Sequence, residues 1–363
     1  MSNVHCKAPW VSVSFMPGGK FAPCCQWAGE LFDTREHMVD HVGGAFLRGE
    51  IPKECAGCPP GPKQSWRSTF EPYQTDYQTS SIQFLDFRNN NLCNLKCRSC
   101  GPLFSTSWSA EVKREIINDY DSTTLDSIDL SQCKMVYFAG GEPLMNPQHY
   151  EVLKRLIDRQ AQPTLMYSSN FTVTGYKDQK VADLWQHFHH ISLHASIDAV
   201  GKYAEIVRSG TDWPTVEANL AWAKQLPNVD LKIAPVISAI NIWWIDSLLD
   251  YFDWIEPANF QPVLADPDSI QGIGGIPTKY RAPLIAALAK SKFRDHVNMQ
   301  RAIKILSEPP LTNHWYQFLT QQLVLDNYRK EHWFDNVTIK HNIYAESLQM
   351  ESWVKPNWTK PHE

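Results

Sequence analysis

The 363-residue sequence predicts an α/β fold of alternating strands and helices, with the strands parallel. Three observations carry this expectation. Six strand-like runs, each followed by a helical or loop segment, lie between about Ile82 and Leu264. The runs end in polar or glycine-rich residues, and the carboxyl end of the strands is the edge where parallel barrels gather their chemistry. The first run, from Phe84, empties into three cysteines at positions 93, 97 and 100.

The runs can be justified in order. Phe84-Leu85-Asp86-Phe87 and Met135-Val136-Tyr137-Phe138 are short apolar strands bounded by turn residues. Leu165 to Thr172 closes on Ser168, Ser169 and Asn170. Ile191 to Asp198 alternates, with Ile191, Leu193, Ala195 and Ile197 on one face and Ser192, His194, Ser196 and Asp198 on the other. The polar face is expected to look into the lumen. A fifth strand is expected from Val229 to Ser238, closing at Asn241, and a sixth from Asn259 to Leu264. Asn146 and Pro147 pair as N-cap and first-turn residue of a helix that presents Tyr150, Leu153, Leu156 and Ile157 on one face. Pro214 opens another, with Val216, Leu220, Ala223 and Leu226 near helical spacing. Beyond Leu264 comes a Gly-rich loop, then helical patterns from Lys279 to Ser291 and from about Trp315 to Lys330.

Three thiolates from one loop can hold three corners of a cubane iron-sulfur cluster, which leaves the fourth iron to a ligand from outside the protein. Zinc is the competing reading for Cys93, Cys97 and Cys100, because a distant His or Cys could complete its shell. Zinc loops more often pair one Cys-x2-Cys with a second. About forty residues on, Phe138-Ala139-Gly140-Gly141-Glu142-Pro143 ends the second strand with paired glycines, which let a backbone approach a ligand closely. Together the two motifs resemble the radical SAM superfamily.

That resemblance implies a partial (β/α)6 TIM-like barrel over residues 81–275, with a four-iron, four-sulfur cluster on Cys93, Cys97 and Cys100. It implies that Gly140, Gly141, Glu142 and Pro143 grip the methionine amino group of S-adenosylmethionine (SAM). Ser168 and Asn170 fall where the family carries a Thr-Asn-Gly type turn, Ser196 and Asp198 where it contacts the SAM ribose, and Arg208 where a basic residue pairs with the SAM carboxylate. A planar guanidinium suits that carboxylate bidentately. The sequence departs from the family at Ser99, where an aromatic residue commonly lies against the adenine. The implied reaction is reductive cleavage of SAM to methionine and a 5'-deoxyadenosyl radical that takes hydrogen from a substrate carbon. A low-potential donor such as flavodoxin or ferredoxin is the implied partner.

Residues 1–58 hold Cys6, Cys24, Cys25, Cys55 and Cys58. Pro17-Gly18-Gly19-Lys20 reads as the turn of a hairpin between Val11–Phe15 and Phe21–Pro23. The cysteine pattern resembles the auxiliary-cluster half-motif of twitch and SPASM domains, here placed before the barrel, as in a group of N-terminal-twitch radical SAM proteins. The preferred ligands are Cys6, Cys24, Cys55 and Cys58, with Cys25 competing for the place of Cys24, and the metal is a second four-iron cluster or zinc. Residues 59–80, with Pro59-Pro60-Gly61-Pro62, read as a linker, and 276–363 as a C-terminal helical extension whose Trp353 and Trp358 serve as cover for the barrel edge.

Nine cysteines, no apolar run after Met1 and no stretch of transmembrane length lead to the expectation of a cytoplasmic enzyme whose thiols serve metals. Cys133 lies outside both clusters and reads as a buried apolar residue. A net charge of −5 disfavours nucleic acid as a partner. His37 and His41 share a solvated helix face, and His187, His189 and His190 flank a strand. His194, aimed at the lumen, either exchanges a proton with substrate as a catalytic residue or hydrogen-bonds a neighbouring strand residue. The expected substrate is a peptide or protein side chain. The alternatives are oxidation or epimerisation of a small metabolite such as a sugar or nucleotide, and a non-catalytic iron-sulfur electron carrier.

Overall fold

In a computed structural model that describes residues 5–58, 66–114, 128–333 and 335–337, seven strands form one sheet. They are β1 (Ser12–Met16), β2 (Lys20–Ala22), β3 (Phe84–Phe87), β4 (Met135–Phe138), β5 (Thr164–Ser169), β6 (Ile191–Ala195) and β7 (Val229–Ile233), in the spatial order β7-β6-β5-β4-β3-β1-β2. Every pairing is parallel except that of β2 with β1. The successive neighbours β3 to β7, joined by crossover segments, are the parallel arc of the α/β fold read from the sequence.

Alternation along these strands divides the sheet into two faces. Leu85, Val136, Phe138, Leu165, Tyr167 and Leu193 are wholly buried under the helices. On the opposite face the register aligns Ser14, Asp86 and Tyr137 across β1, β3 and β4, then Ser168, His194 and Lys232 across β5, β6 and β7. Tyr137 Oη lies 2.8 Å from Ser168 Oγ across the same face. These polar side chains share one face of the sheet, and His194 is among them.

The longer helices are α1 (Pro147–Asp158), α2 (Trp213–Ala223), α3 (Ile245–Tyr251), α4 (Thr278–Lys290), α5 (Val297–Ser307) and α6 (His314–Arg329), and α4 packs on α3 and on α5. Asn146 caps α1 by accepting from Gln148 N at 3.0 Å, and Asp212 caps α2 by accepting from Thr215 N at 3.2 Å. The helix α5 is an addition to the sequence reading.

Two strand boundaries differ from expectation. The run Val229–Ser238 is interrupted at Ala234-Pro235, because a proline has no N–H to give to the ladder. The chain resumes as β8 (Val236–Ile237), parallel to β9 (Val263–Leu264). The sixth strand is therefore shorter than Asn259–Leu264, since Pro257–Asn259 forms a 3-10 turn and Phe260 makes a single bridge to Ile233.

The amino-terminal hairpin forms around Pro17–Gly19, and its first strand joins the main sheet, with Ser12 opposite Phe84 and Phe15 opposite Phe87. The edge of β3 is thereby covered. Within the stretch read as a linker, Trp66–Phe70 is a 3-10 turn. Its Phe70 and Trp66 rings meet the Phe84 ring edge-on, and Trp66 also meets Tyr137. Pro59, Pro60, Gly61, Pro62, Trp353 and Trp358 lie outside the described residues.

Candidate active site

The cysteine loop leaves β3 and is fixed by its own backbone. Thr106 Oγ1 lies 3.1 Å from both the amide and the carbonyl oxygen of Cys93, Ser107 Oγ donates to the same carbonyl at 2.8 Å, and Trp108 Nε1 donates to Cys97 O at 2.9 Å. Lys96–Cys97 pairs antiparallel with Arg208–Ser209, which sets Arg208 opposite Cys97 by register. A cleft of about 380 Å³ results, lined by Cys93, Cys97, Cys100, Gly140, Gly141, Ser168, Asn170, Ser196 and Arg208. Residues from β3 to β6 and the loops after them thus meet at one mouth, at the carboxyl ends of the strands.

Donors point at the thiols. Leu95 N lies 3.5 Å and Asn170 Nδ2 3.8 Å from Cys93 Sγ, and Arg208 Nη1 lies 3.9 Å from Cys97 Sγ. Burial pushes the Cys93 thiol up to about 12 and Cys97 up to about 11, and raises Cys100 as well. Metal binding would displace those protons, and the surrounding N–H groups suit thiolate sulfur.

Gly140 and Gly141 serve the loop itself. A Cβ on Gly141 would stand 2.2 Å from Leu92 O, and Gly140 has φ +109°, so only glycine lets this turn lie against Asn90–Leu92. Glu142 N donates to Leu92 O at 2.6 Å. The sequence assigned the glycines to close approach of a ligand; the structure shows them also closing one backbone on another, immediately ahead of Cys93.

Glu142 is 1% exposed and outside the cleft lining. Its carboxyl group accepts from Leu144 N at 3.1 Å, Ser169 Oγ at 2.8 Å and Asn170 N at 2.7 Å, joining the Gly-Gly turn to the end of β5. Burial pushes Glu142 up to about 7 against the pull of those hydrogen bonds. Pro143 is buried and opens the 3-10 turn Pro143–Met145. Asn170 reaches Asn94 Oδ1 at 3.1 Å as well as Cys93.

Asp198 is 3% exposed and also stands behind the cleft. It accepts from Arg208 Nε at 2.8 Å and from Val236 N at 2.8 Å. Burial alone would lower Arg208, but the carboxylate of Asp198 and the Cys97 thiol hold it above its ordinary range. Ser196 lines the cleft and Asp198 orients its arginine.

His194 is outside the cleft lining, on β6 two residues before Ser196, which lines it. Its Nε2 is 3.1 Å from Ser192 Oγ, and burial, with Lys232 beside it, lowers it to about 4. Of its two sequence-derived roles, the hydrogen bond to a neighbouring strand residue is formed.

The amino-terminal thiols are sorted by the fold. Cys6, Cys24, Cys55 and Cys58 line one cavity of about 40 Å³, together with His5, Glu54, Trp66 and Arg67. Cys25 is absent from that lining and lies near Asp86 and Arg88, whose charges act on it. Arg67 Nε and Nη1 and His5 Nε2 are buried without a partner. Burial pushes Cys6 up to about 11 and Cys55 up to about 12, and raises Cys24. Among the described residues, no three His, Cys, Asp or Glu side chains already converge as ligands of a single ion do. No helix among them is long and apolar enough to cross a membrane.

Several site residues escaped the sequence reading. Arg88 pairs with Asp86 through two hydrogen bonds of 2.8 Å each and lines the cleft beside Tyr137. Arg98, inside the cysteine loop, is fully buried against α6, and Arg329 of α6 stacks 4.0 Å over Trp108. A charged residue between two of the loop's closely spaced cysteines was the available signal for Arg98. Phe104 lines the cleft while 64% exposed.

Residues 89–205 match the family model described as a 4Fe-4S single cluster domain, a span that includes the three cysteines, the Gly-Gly-Glu-Pro turn and Asp198. A solved structure, of TYW1 with a lysine-pyruvate adduct bound, aligns at 15% identity with a TM-score of 0.28, covering 45% of this chain. The aligned part spans 58% of that structure's chain. No curated protein matches this chain.

Proposed function

We propose that this protein is a radical SAM enzyme whose cluster is held by Cys93, Cys97 and Cys100. One observation carries the reading: three thiols of one loop share a cleft with the Gly140-Gly141 turn and with a guanidinium 3.9 Å from Cys97 Sγ. The donor set fits a thiolate-ligated cluster with one open iron, because among the described residues three cysteines and no fourth acidic or thiol side chain line that cleft. When bound, the cluster would pass one electron from a low-potential donor to SAM, whose cleavage would give methionine and a 5'-deoxyadenosyl radical that takes hydrogen from substrate.

The residues of the chain do the positioning. Arg208, held by Asp198, offers its remaining N–H groups to the SAM carboxylate. The Gly140-Gly141 edge, Ser168 and Asn170 face the methionine end, and Ser196 faces the ribose. Glu142 ties the glycine turn to β5 so that these groups keep their spacing. The lumen beyond, with Asp86, Arg88, Tyr137, His194 and Lys232, supports a polar substrate group, and a peptide or protein side chain is the substrate class we favour.

For the amino-terminal cavity we propose an auxiliary four-iron cluster on Cys6, Cys24, Cys55 and Cys58, with zinc as the competing occupant. The shared cavity and the separate position of Cys25 support this ligand set. Arg67, whose Nε and Nη1 are buried without a hydrogen-bond partner among the described residues, lines a site that four thiolates would make negative in either case. An auxiliary cluster would give the substrate radical a place to deliver its electron.

Iron, acid-labile sulfide and zinc per chain, measured in protein purified without oxygen, test both ligand sets. About eight irons and eight sulfides in the wild type, falling to about four in Cys97→Ala, are expected for two clusters. About four irons with one zinc would reduce the amino-terminal site to a structural clasp. Zinc without iron would end the radical SAM reading.

A further inference from the structure

We infer that Phe104 supplies the aromatic face on which the adenine of SAM stacks. The inference rests on the SAM reading above and adds to it a residue that no motif marks. Ser99, between the second and third cysteines, is exposed and lines the cleft, offering a hydroxyl but no π face. Five residues later Phe104 lines the same cleft with 64% of its surface exposed, and Leu103 beside it is 48% exposed.

The backbone that carries this ring is fixed. Phe104 N donates to Gly101 O at 3.0 Å, closing a turn directly after Cys100. The next residue, Ser105, is 1% exposed, donates to Leu95 O at 2.6 Å and caps the helix Thr106–Glu111. An exposed phenylalanine on a rigid rim leaves apolar surface in water that a flat ligand would cover. The cleft's other aromatic residue, Tyr137, is committed: its hydroxyl meets Ser168, and the Arg88 guanidinium lies 5.7 Å over its ring. The rest of the lining is thiol, glycine, small polar or charged apart from Leu95 and Ala139. A purine stacks on an aromatic face whatever its hydrogen-bonding edge. The cysteine end of the cleft receives the methionine end of SAM, and the Phe104 rim receives the base.

The test is equilibrium binding of three probes to iron-loaded protein without oxygen: SAM, 5'-methylthioadenosine, which keeps the base and loses the amino acid, and methionine, which does the reverse. Phe104→Ala is expected to weaken SAM and 5'-methylthioadenosine tenfold or more and to leave methionine within twofold, while Phe104→Trp restores both. Because Phe104 is mostly exposed, iron content and thermal midpoint are expected to match the wild type in both variants. Phe104→Ala binding 5'-methylthioadenosine as tightly as wild type overturns the stack alone. An equal loss of methionine and 5'-methylthioadenosine also overturns it, since the residue would then shape the whole cleft. Wild-type protein that binds none of the three probes overturns the stack and the SAM reading together.

Discussion

Replacing Arg98 by methionine should loosen the cysteine loop from the C-terminal helix, and the structure sets the size of the effect. The Arg98 side chain is 0% exposed and sits between Cys97 and Ser99. Its Nε donates to Ile206 O at 3.0 Å, its Nη1 to Gln322 Oε1 at 3.2 Å, and its Nη2 to Asp326 and, at 2.7 Å, to Glu331 Oε2. Methionine fills much of the same volume and carries no charge. Asp326, 8% exposed, then loses its guanidinium partner while staying buried, whereas Glu331, 21% exposed, can turn toward water. Removing one member of a buried pair costs about 3–5 kcal/mol. Partial rehydration of Glu331 favours the lower end. At roughly 2 °C per kcal/mol for a chain of this size, the thermal midpoint should fall by about 6–10 °C. Circular dichroism on anaerobically purified protein measures it. Arg98→Met combined with Asp326→Leu should regain most of the loss, because the buried carboxylate that lost its guanidinium goes too. A midpoint within 2 °C of wild type for the single variant, or a double variant no better than the single, would refute this reasoning.

Gly141→Ala should be worse than its chemistry suggests, since the new Cβ would stand 2.2 Å from Leu92 O. The expected result is a loss of several kcal/mol in stability and of iron at the Cys93 loop, read by thermal melting and iron assay. Arg208→Ala should weaken SAM binding more than Arg208→Lys, since lysine keeps the charge and loses the fork; equal affinity for all three proteins removes Arg208 from the site. His149 should make the fold acid-sensitive. It is fully buried 2.7 Å from Tyr167 Oη, and burial lowers it from 6.5 to about 3. The neutral form is the folded one, so its contribution is intact above pH 6.5 and is lost as pH falls toward 3. The loss is about 2 kcal/mol by pH 5, and a His149→Gln variant should show a flatter stability profile over that window in urea titrations.

The parallel arc was legible because its strands are short apolar runs ending in turn chemistry, and Asn146 and Pro214 mark helix starts that the structure reproduces. Alternation in Ile191–Ala195 correctly put His194 and Ser192 on one face. What local pattern could not carry was partnership. Ser12–Met16 reads as one arm of a hairpin, and nothing near it announces a parallel pairing with Phe84–Phe87, seventy residues away. Pro235 was visible, and its missing N–H should have ended the fifth strand. In the site, the motifs named which residues gather but not their division of labour. Glu142 and Asp198 are buried and accept hydrogen bonds on several sides, Glu142 from the end of β5 and Asp198 from Arg208 and Val236, as desolvated carboxylates require. The sequence reading preferred Cys24 and left adjacent Cys25 as its competitor. Adjacent side chains leave the backbone in different directions, so one faces the four-thiol cavity and the other Asp86.

The most direct measurement of the central claim is release of 5'-deoxyadenosine from SAM by dithionite-reduced protein, compared with Cys97→Ala, by mass spectrometry without oxygen. Formation of 5'-deoxyadenosine and methionine by the wild type, with none from the variant, is the result predicted by a cluster on Cys93, Cys97 and Cys100. Cleavage retained in Cys97→Ala, or no cleavage by wild-type protein loaded with iron and sulfide, would contradict it.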